Sequence, residues 1–169
     1  MKTIIAIDPG KSGGIAFRCG KSCGTQPMPE TFGELTESLR EFKQQATIEG
    51  CELVAYVERV QGFAGKNRPG FHMFGLGENF GAIQGILAAL NVRTILVRPQ
   101  EWQKGFQLGS RSTSKSDNDW KNKLKAEAQR RFPELKVTLK TADALLILEY
   151  AQKQAPVVFA EHEVKGTNE

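Results

Sequence analysis

Three apolar runs in this 169-residue chain each meet a carboxylate where the backbone leaves a buried stretch. Asp8 follows Ile4-Ile5-Ala6-Ile7, Glu58 follows Leu53-Val54-Ala55-Tyr56-Val57, and Asp143 stands in the first turn of the apolar stretch 141–151. Unbroken aliphatic runs of this length mark strands covered on both faces, so the first two acids end central strands and the third opens a buried helix. All three then converge at one edge of a sheet. Each has an ordinary reading by itself. Asp8-Pro9-Gly10 is a common turn sequence, Asp143 beside a Thr141 N-cap complements the helix dipole, and Glu58 has Arg59 next to it. Together, three acids beside buried elements repel one another unless a cation neutralises them. Hard oxygen donors suit Mg²⁺ or Mn²⁺ rather than zinc.

The rest of the chain reads as interleaved strands and helices. Residues 3–7 and 14–18 are strands joined by a glycine-rich turn, which makes a hairpin with a longer loop. Residues 31–48 have helical spacing, with Thr31 as N-cap, Glu34 completing a capping box, and Leu35, Leu39 and Phe42 on one face. Residues 53–57 and 94–97 form two further strands. Residues 69–77 read as a loop rich in glycine and aromatics, leading into a helix carrying Leu76, Phe80, Ile83, Leu87 and Leu90. Residues 110–119 are polar without periodicity and read as a mobile loop. A basic helix is expected from Asp119 to about Phe132, and an apolar one from Thr141 to about Gln154. The order points to an α/β or α+β fold with helices on a sheet. One domain over residues 1–155 is expected, with 156–169 as a C-terminal tail.

Charge and cysteine content narrow the function classes. The chain carries a formal net charge of +4, yet residues 98–140 hold eleven Lys or Arg against five Asp or Glu. That local excess suits a polyanionic partner. No apolar stretch approaches the roughly 20 residues that cross a bilayer, and the first apolar run is too short for a signal peptide. A membrane role is therefore not expected, and the chain is expected to stay in the compartment where it is made, the cytoplasm. Three cysteines, Cys19, Cys23 and Cys51, read as reduced thiols, because the Cys19-x3-Cys23 pair lacks a second pair to complete a zinc site.

The blocks "IIAIDPGKSGGIA", "LVAYVERVQGF" and "TADALLILEYA", in that order, resemble the signature blocks of RuvC-type Holliday junction resolvases of the RNase H-like superfamily. The blocks "FHMFGLGENFGAIQGILAAL" and "VRPQEWQKGF" are similar to the central segments of that family's phage, bacterial and plastid branch. The resemblance implies a five-stranded mixed sheet flanked by helices, and a homodimer acting on a four-way DNA junction. It implies Asp8, Glu58 and Asp143 as ligands of two Mg²⁺ ions, with Mn²⁺ as a substitute. Hydrolysis would leave paired nicks with 5′-phosphates, serving DNA recombination and repair in the cytoplasm of a bacterium or of a phage-infected host. One position departs from the family: Lys140 stands where an Asp or His is usual, three residues before the last acid. Glu149 projects from another side of its helix. Either another side chain completes the site, or Lys140 contacts the scissile phosphate as a point charge and counts among the catalytic residues.

The resemblance also assigns candidate DNA contacts. Lys104, Lys115 and Lys121 fall roughly where the family has lysines near the scissile phosphate, and Lys125 with neighbouring Lys123 extends that face. Phe63, Phe71 and Phe74, interleaved with Lys66 and Arg68, offer rings for stacking on unpaired bases. His72 has no partner histidine for a metal site. Gly77, Gly81 and Gly85 leave a smooth stripe suited to close helix packing, expected across a dimer interface. Two other readings stay open. The first hairpin also resembles the phosphate-binding hairpin of sugar kinases and actin-like ATPases, which need two such hairpins in a longer chain. A related nuclease acting on other branched DNA or on ribosomal RNA precursors shares the fold.

Overall fold

The computed structural model describes residues 2–60 and 70–165, and for residues 71–72 and 155–165 it describes the backbone. Five strands form one mixed sheet: β1 (Lys2–Asp8), β2 (Gly14–Cys19), β3 (Ser22–Pro27), β4 (Glu52–Glu58) and β5 (Arg93–Val97), in the spatial order β3-β2-β1-β4-β5. β1, β2 and β3 pair antiparallel as a meander, whereas β1–β4 and β4–β5 are parallel. Parallel pairing requires crossovers. Helix α1 (Phe32–Ile48) leads into β4, and α2 (Gly70–Ala89) precedes β5.

The central position of β1 and β4 explains their unbroken apolar runs. Ile4 and Ala6 of β1 and Val54 and Tyr56 of β4 face one core, formed with α3 (Pro99–Lys104), α4 (Asp117–Arg131) and α5 (Ala142–Lys165). Their neighbours Ile5, Ile7, Leu53, Ala55 and Val57 face the other core, against Leu35 and Leu39 of α1 and Ile83 and Leu87 of α2. The result is helices on both sides of a sheet. Full burial of each such side chain contributes roughly 1.5–3 kcal/mol, so both layers are needed to hold the middle strands.

Local signals fix several boundaries. The Thr31 hydroxyl accepts from the Glu34 backbone N–H while the Glu34 carboxylate accepts from the Thr31 N–H, the expected reciprocal box. Five elements depart from the sequence expectations. β3 carries Ser, Gly, Thr and Gln at a sheet edge, where no second apolar face is required. α2 begins at Gly70, so most of the expected 69–77 loop is helical. α3 is a short helix with Pro99 at its first position, beyond an expected strand end. α4 starts earlier, at Asp117, because Ser116 caps the Asp119 N–H, and the expected loop before it contains a 3₁₀ turn over Arg111–Thr113. α5 continues to Lys165, past the expected end near Gln154. No helix among the described residues is long and apolar enough to cross a membrane.

Candidate metal centre

Asp8 and Glu58 end the adjacent parallel strands β1 and β4, and Asp143 lies in the first turn of α5, which packs on β1 and β2. Two glycines make that approach close. Asp8 pairs in register with Gly14, and a Cβ on Gly14 would lie 2.7 Å from the Lys140 carbonyl oxygen, at the entry to α5. A Cβ on Gly13 would lie 2.0 Å from the Asp8 carbonyl oxygen. Neither position accepts a side chain without moving the backbone that carries an acid. The turn between them is held from the opposite layer: buried Asn79 of α2 accepts the Gly10 N–H at 2.7 Å. Gly10 has φ +106°, a conformation that L side chains rarely adopt.

The three carboxyls are electrostatically one group. Burial holds Asp8 well above the usual carboxylate range, Asp143 and Glu58 push it further, and Lys121 pulls it back. Burial, then Asp143, raise Glu58 to about 7 against a hydrogen bond from the Trp102 indole N–H, which reaches its Oε2 at 2.7 Å. Burial raises Asp143 to about 6, opposed by Lys121 and Arg111. A set of acids that repel one another beneath partial cover is stabilised by an added cation, and oxygen donors match Mg²⁺ or Mn²⁺. Among the described residues the group of three donors lying within 4.8 Å of one another is Cys19, Glu49 and Cys51. The acids are spread more widely than that.

The expected basic residues separate into distinct roles. Lys121 is exposed on α4 and acts on both Asp8 and Asp143. Lys123 is engaged elsewhere, pairing with Asp119 at 3.1 Å. Lys125 and Lys140 line a groove with Lys136, Thr25, Thr138 and Thr141. Lys140 is exposed in the turn before α5 and lines the groove, while the cations that lower the acids' pKa values are Lys121 and Arg111. Glu149 is bound to Arg131 at 2.9 Å and to Lys153 at 3.4 Å. Lys104 ends α3, and Lys115 lies just before α4; both are exposed.

Phe74 sits on α2 rather than in a loop and is 72% exposed. Phe63, Lys66 and Arg68 lie outside the described residues, as do the side chains of Phe71 and His72. The glycine stripe is open: Gly77, Gly81 and Gly85 are exposed, and a Cβ on any of them would meet nothing within 4 Å. Asn79, Trp102, Arg111 and Lys136 were not anticipated from sequence. The first two act across 69 and 44 residues of chain, a separation that no local pattern reports.

No family model and no curated protein matches the chain. Solved structures do. The structure of Thermus thermophilus RuvC is 16% identical with a TM-score of 0.54, covering 92% of this chain and 96% of that one. T. thermophilus RuvC in complex with Holliday junction substrate is 15% identical with a TM-score of 0.57, covering 93% and 96%. The fold is that of RuvC. The RuvC fold is an α/β, RNase H-like architecture, and the five-stranded mixed sheet with flanking helices agrees with the expectation drawn from the three sequence blocks. At this identity the likeness extends to the architecture, and the roles of individual residues rest on their own geometry.

Proposed function

We propose that this chain is a structure-specific endonuclease that resolves four-way DNA junctions by metal-dependent phosphodiester hydrolysis. The observation that carries the reading is the convergence of Asp8, Glu58 and Asp143, three mutually repelling acids on a RuvC-like sheet, beside a lysine-lined groove. Holliday junction substrate is what the compared T. thermophilus RuvC holds in its complex. In this reading Asp8, Glu58 and Asp143 hold two Mg²⁺ ions, or Mn²⁺ in substitution. Bound there, the ions supply Lewis acidity at the phosphoryl oxygens and a water of lowered pKa for in-line attack, leaving a 5′-phosphate nick.

The protein's own groups do the rest. Trp102 fixes the rotamer of Glu58 through its indole N–H, as the outer partners of metal ligands commonly do. Asn79 holds the turn that follows Asp8. Lys121 supplies positive potential where a phosphate approaches the acids, with a smaller part from Arg111, which is itself paired with Asp117. Lys125, Lys136 and Lys140 track the backbone leading to them, and such contacts are salt-sensitive and blind to sequence. Lys104 and Lys115 extend the same basic segment, and Phe63, Phe71, Lys66 and Arg68 complete the proposed DNA surface. Symmetric nicking of two strands calls for a homodimer. The exposed face of α2, with Gly77, Gly81 and Gly85, suits close approach of a second copy.

A synthetic four-way junction and a matched duplex, incubated with the protein in Mg²⁺, provide the test. Paired nicks on the junction alone, lost in Asp8→Asn, are the expected result. Equal cutting of plain duplex would exclude junction specificity, and undiminished cutting by Asp8→Asn would exclude the acid site.

A further inference from the structure

A second cluster of metal-ligating side chains lies at the opposite end of the sheet. Cys19 is the last residue of β2, whose first residue, Gly14, pairs with Asp8. Cys51 immediately precedes β4, whose last residue is Glu58. Glu49 caps the C-terminus of α1. Gly50, at φ +64°, turns the chain out of the helix, and the Cys51 N–H bonds the Ala46 carbonyl at 2.8 Å. That turn brings Cys51 back over the sheet. The Cys19 and Cys51 sulfurs and a Glu49 carboxylate oxygen all lie within 4.8 Å of one another.

The cluster is organised. The Cys19 thiol donates to Glu49 Oε2 and accepts from the Thr3 hydroxyl at 3.1 Å, while Gln45 donates to Glu49 Oε1. Both thiols are half-buried and the carboxylate is exposed, so an ion can enter from solvent. All three cysteines read as reduced thiols from sequence; in the fold Cys19 meets Cys51, and Cys23 is not part of the cluster.

We propose that Cys19, Cys51 and Glu49 form a site for one thiophilic divalent cation of the Zn²⁺ class, with the fourth position left to water. Tetrahedral zinc with Zn–S near 2.3 Å and Zn–O near 2.1 Å sets its donors roughly 3.5 Å apart. Rotamer adjustment of two cysteines and one exposed glutamate covers the remaining distance. Thiolate donors select such an ion over Mg²⁺, so the two ends of one sheet would hold chemically different metals. Binding replaces the two thiol protons, which are released to solvent, and the carboxylate enters already ionised. The ion would tie the end of β2, the end of α1 and the start of β4 together, and its water position would stay open to solvent. Its existence is independent of the nuclease reading.

Titration of the reduced full-length protein with Co²⁺, followed by Zn²⁺, tests the site. The expected result is a sulfur-to-cobalt charge-transfer band saturating at one equivalent and erased by Zn²⁺. The band should disappear in Cys19→Ser and in Cys51→Ser, persist in Cys23→Ser and Asp8→Asn, and need at least ~10-fold more cobalt in Glu49→Gln. Zinc should raise the thermal midpoint of the wild type by roughly 5 °C and leave that of Cys51→Ser unmoved. Absence of the band in the reduced wild type, its survival in either serine variant at Cys19 or Cys51, or reliance on Cys23 would overturn the proposal. So would a Cys19–Cys51 disulfide in the purified protein whose reduced form takes up no cobalt. Glu49 is exposed, so its variant keeps the site testable should a cysteine variant fold poorly.

Discussion

Two groups of partly buried acids in this protein solve the same electrostatic problem in opposite ways. Glu127, on α4, is nearly covered, yet it receives Arg130 at 2.8 Å and Arg131 at 2.7 Å, and Arg131 in turn holds Glu149. Those partners, Arg130 foremost, lower the Glu127 pKa. Asp8, Glu58 and Asp143 are partly buried and accept no ion pair of that kind among the described residues, and burial raises all three, with Asp143 adding to the rise of Asp8 and Glu58. The first group is finished by the fold. The second is not neutralised in this way, and clustered acids with raised pKa values are what the proposed metal site would require.

The sharpest way to break this contrast is Asp8→Asn. Junction cleavage should fall at least ~10³-fold in single-turnover assays, the scale of losing a metal-bound transition-state contact. The same variant should unfold at equal or higher denaturant concentration than the wild type in metal-free buffer at pH 7.5. A variant that is both inactive and strongly destabilised would make Asp8 a structural acid like Glu127. Next, Trp102→Phe removes the indole donor to Glu58 while keeping an aromatic ring, and cleavage should drop about 10–100-fold, as for other outer partners of metal ligands.

Stability against pH separates the two groups by sign. Glu58 and Asp143 bind protons more tightly in the folded state, with pKa values of about 7 and 6, than the roughly 4 of an unfolded chain. The folded metal-free protein therefore holds more protons between about pH 4 and 7, and its unfolding free energy falls as pH rises through that window. The decline should be recovered by Mg²⁺ at pH 7.5, where the bound cation would favour the ionised acids. Glu127 behaves in reverse: its stabilisation is present above the unfolded pKa and disappears as pH falls through its lowered folded value. Chemical denaturation of Asp143→Asn and Glu127→Gln across pH 4–8 reads both. The first should flatten the decline toward pH 7. The second should destabilise by about 1–2 kcal/mol at neutral pH.

The smallest effect is expected at Lys140. Lys140→Ala should weaken junction binding about 2- to 5-fold and reduce its salt dependence by less than one phosphate contact, with cleavage at saturation unchanged. A large fall in the maximal rate would move Lys140 from the groove to the chemistry.

How far the sequence disclosed the molecule follows from the same division between local and distant causes. β1 and β4 were legible because burial on both faces demands unbroken aliphatic residues, and their terminal acids stood out against that background. The α1 start was legible because Thr31 and Glu34 satisfy each other within three residues. β3 was not, since an edge strand of Ser, Gly, Thr and Gln lacks the alternation that signals a strand. Nor were Asn79 and Trp102, whose partners lie far along the chain. Phe74 reads as a loop residue, because the glycines around it hide a helix that begins at Gly70, and only the helix shows its ring to be exposed. The Cys19–Cys51 pairing was hidden for a related reason: β1 separates β2 from β4, and sequence spacing favoured Cys23.

The hydrogen bond from Gly10 to Asn79 has a mechanical consequence. It fastens the turn that follows Asp8 to α2, the helix that also carries the open stripe of Gly77, Gly81 and Gly85, so the first acid and that stripe belong to one connected piece of the fold.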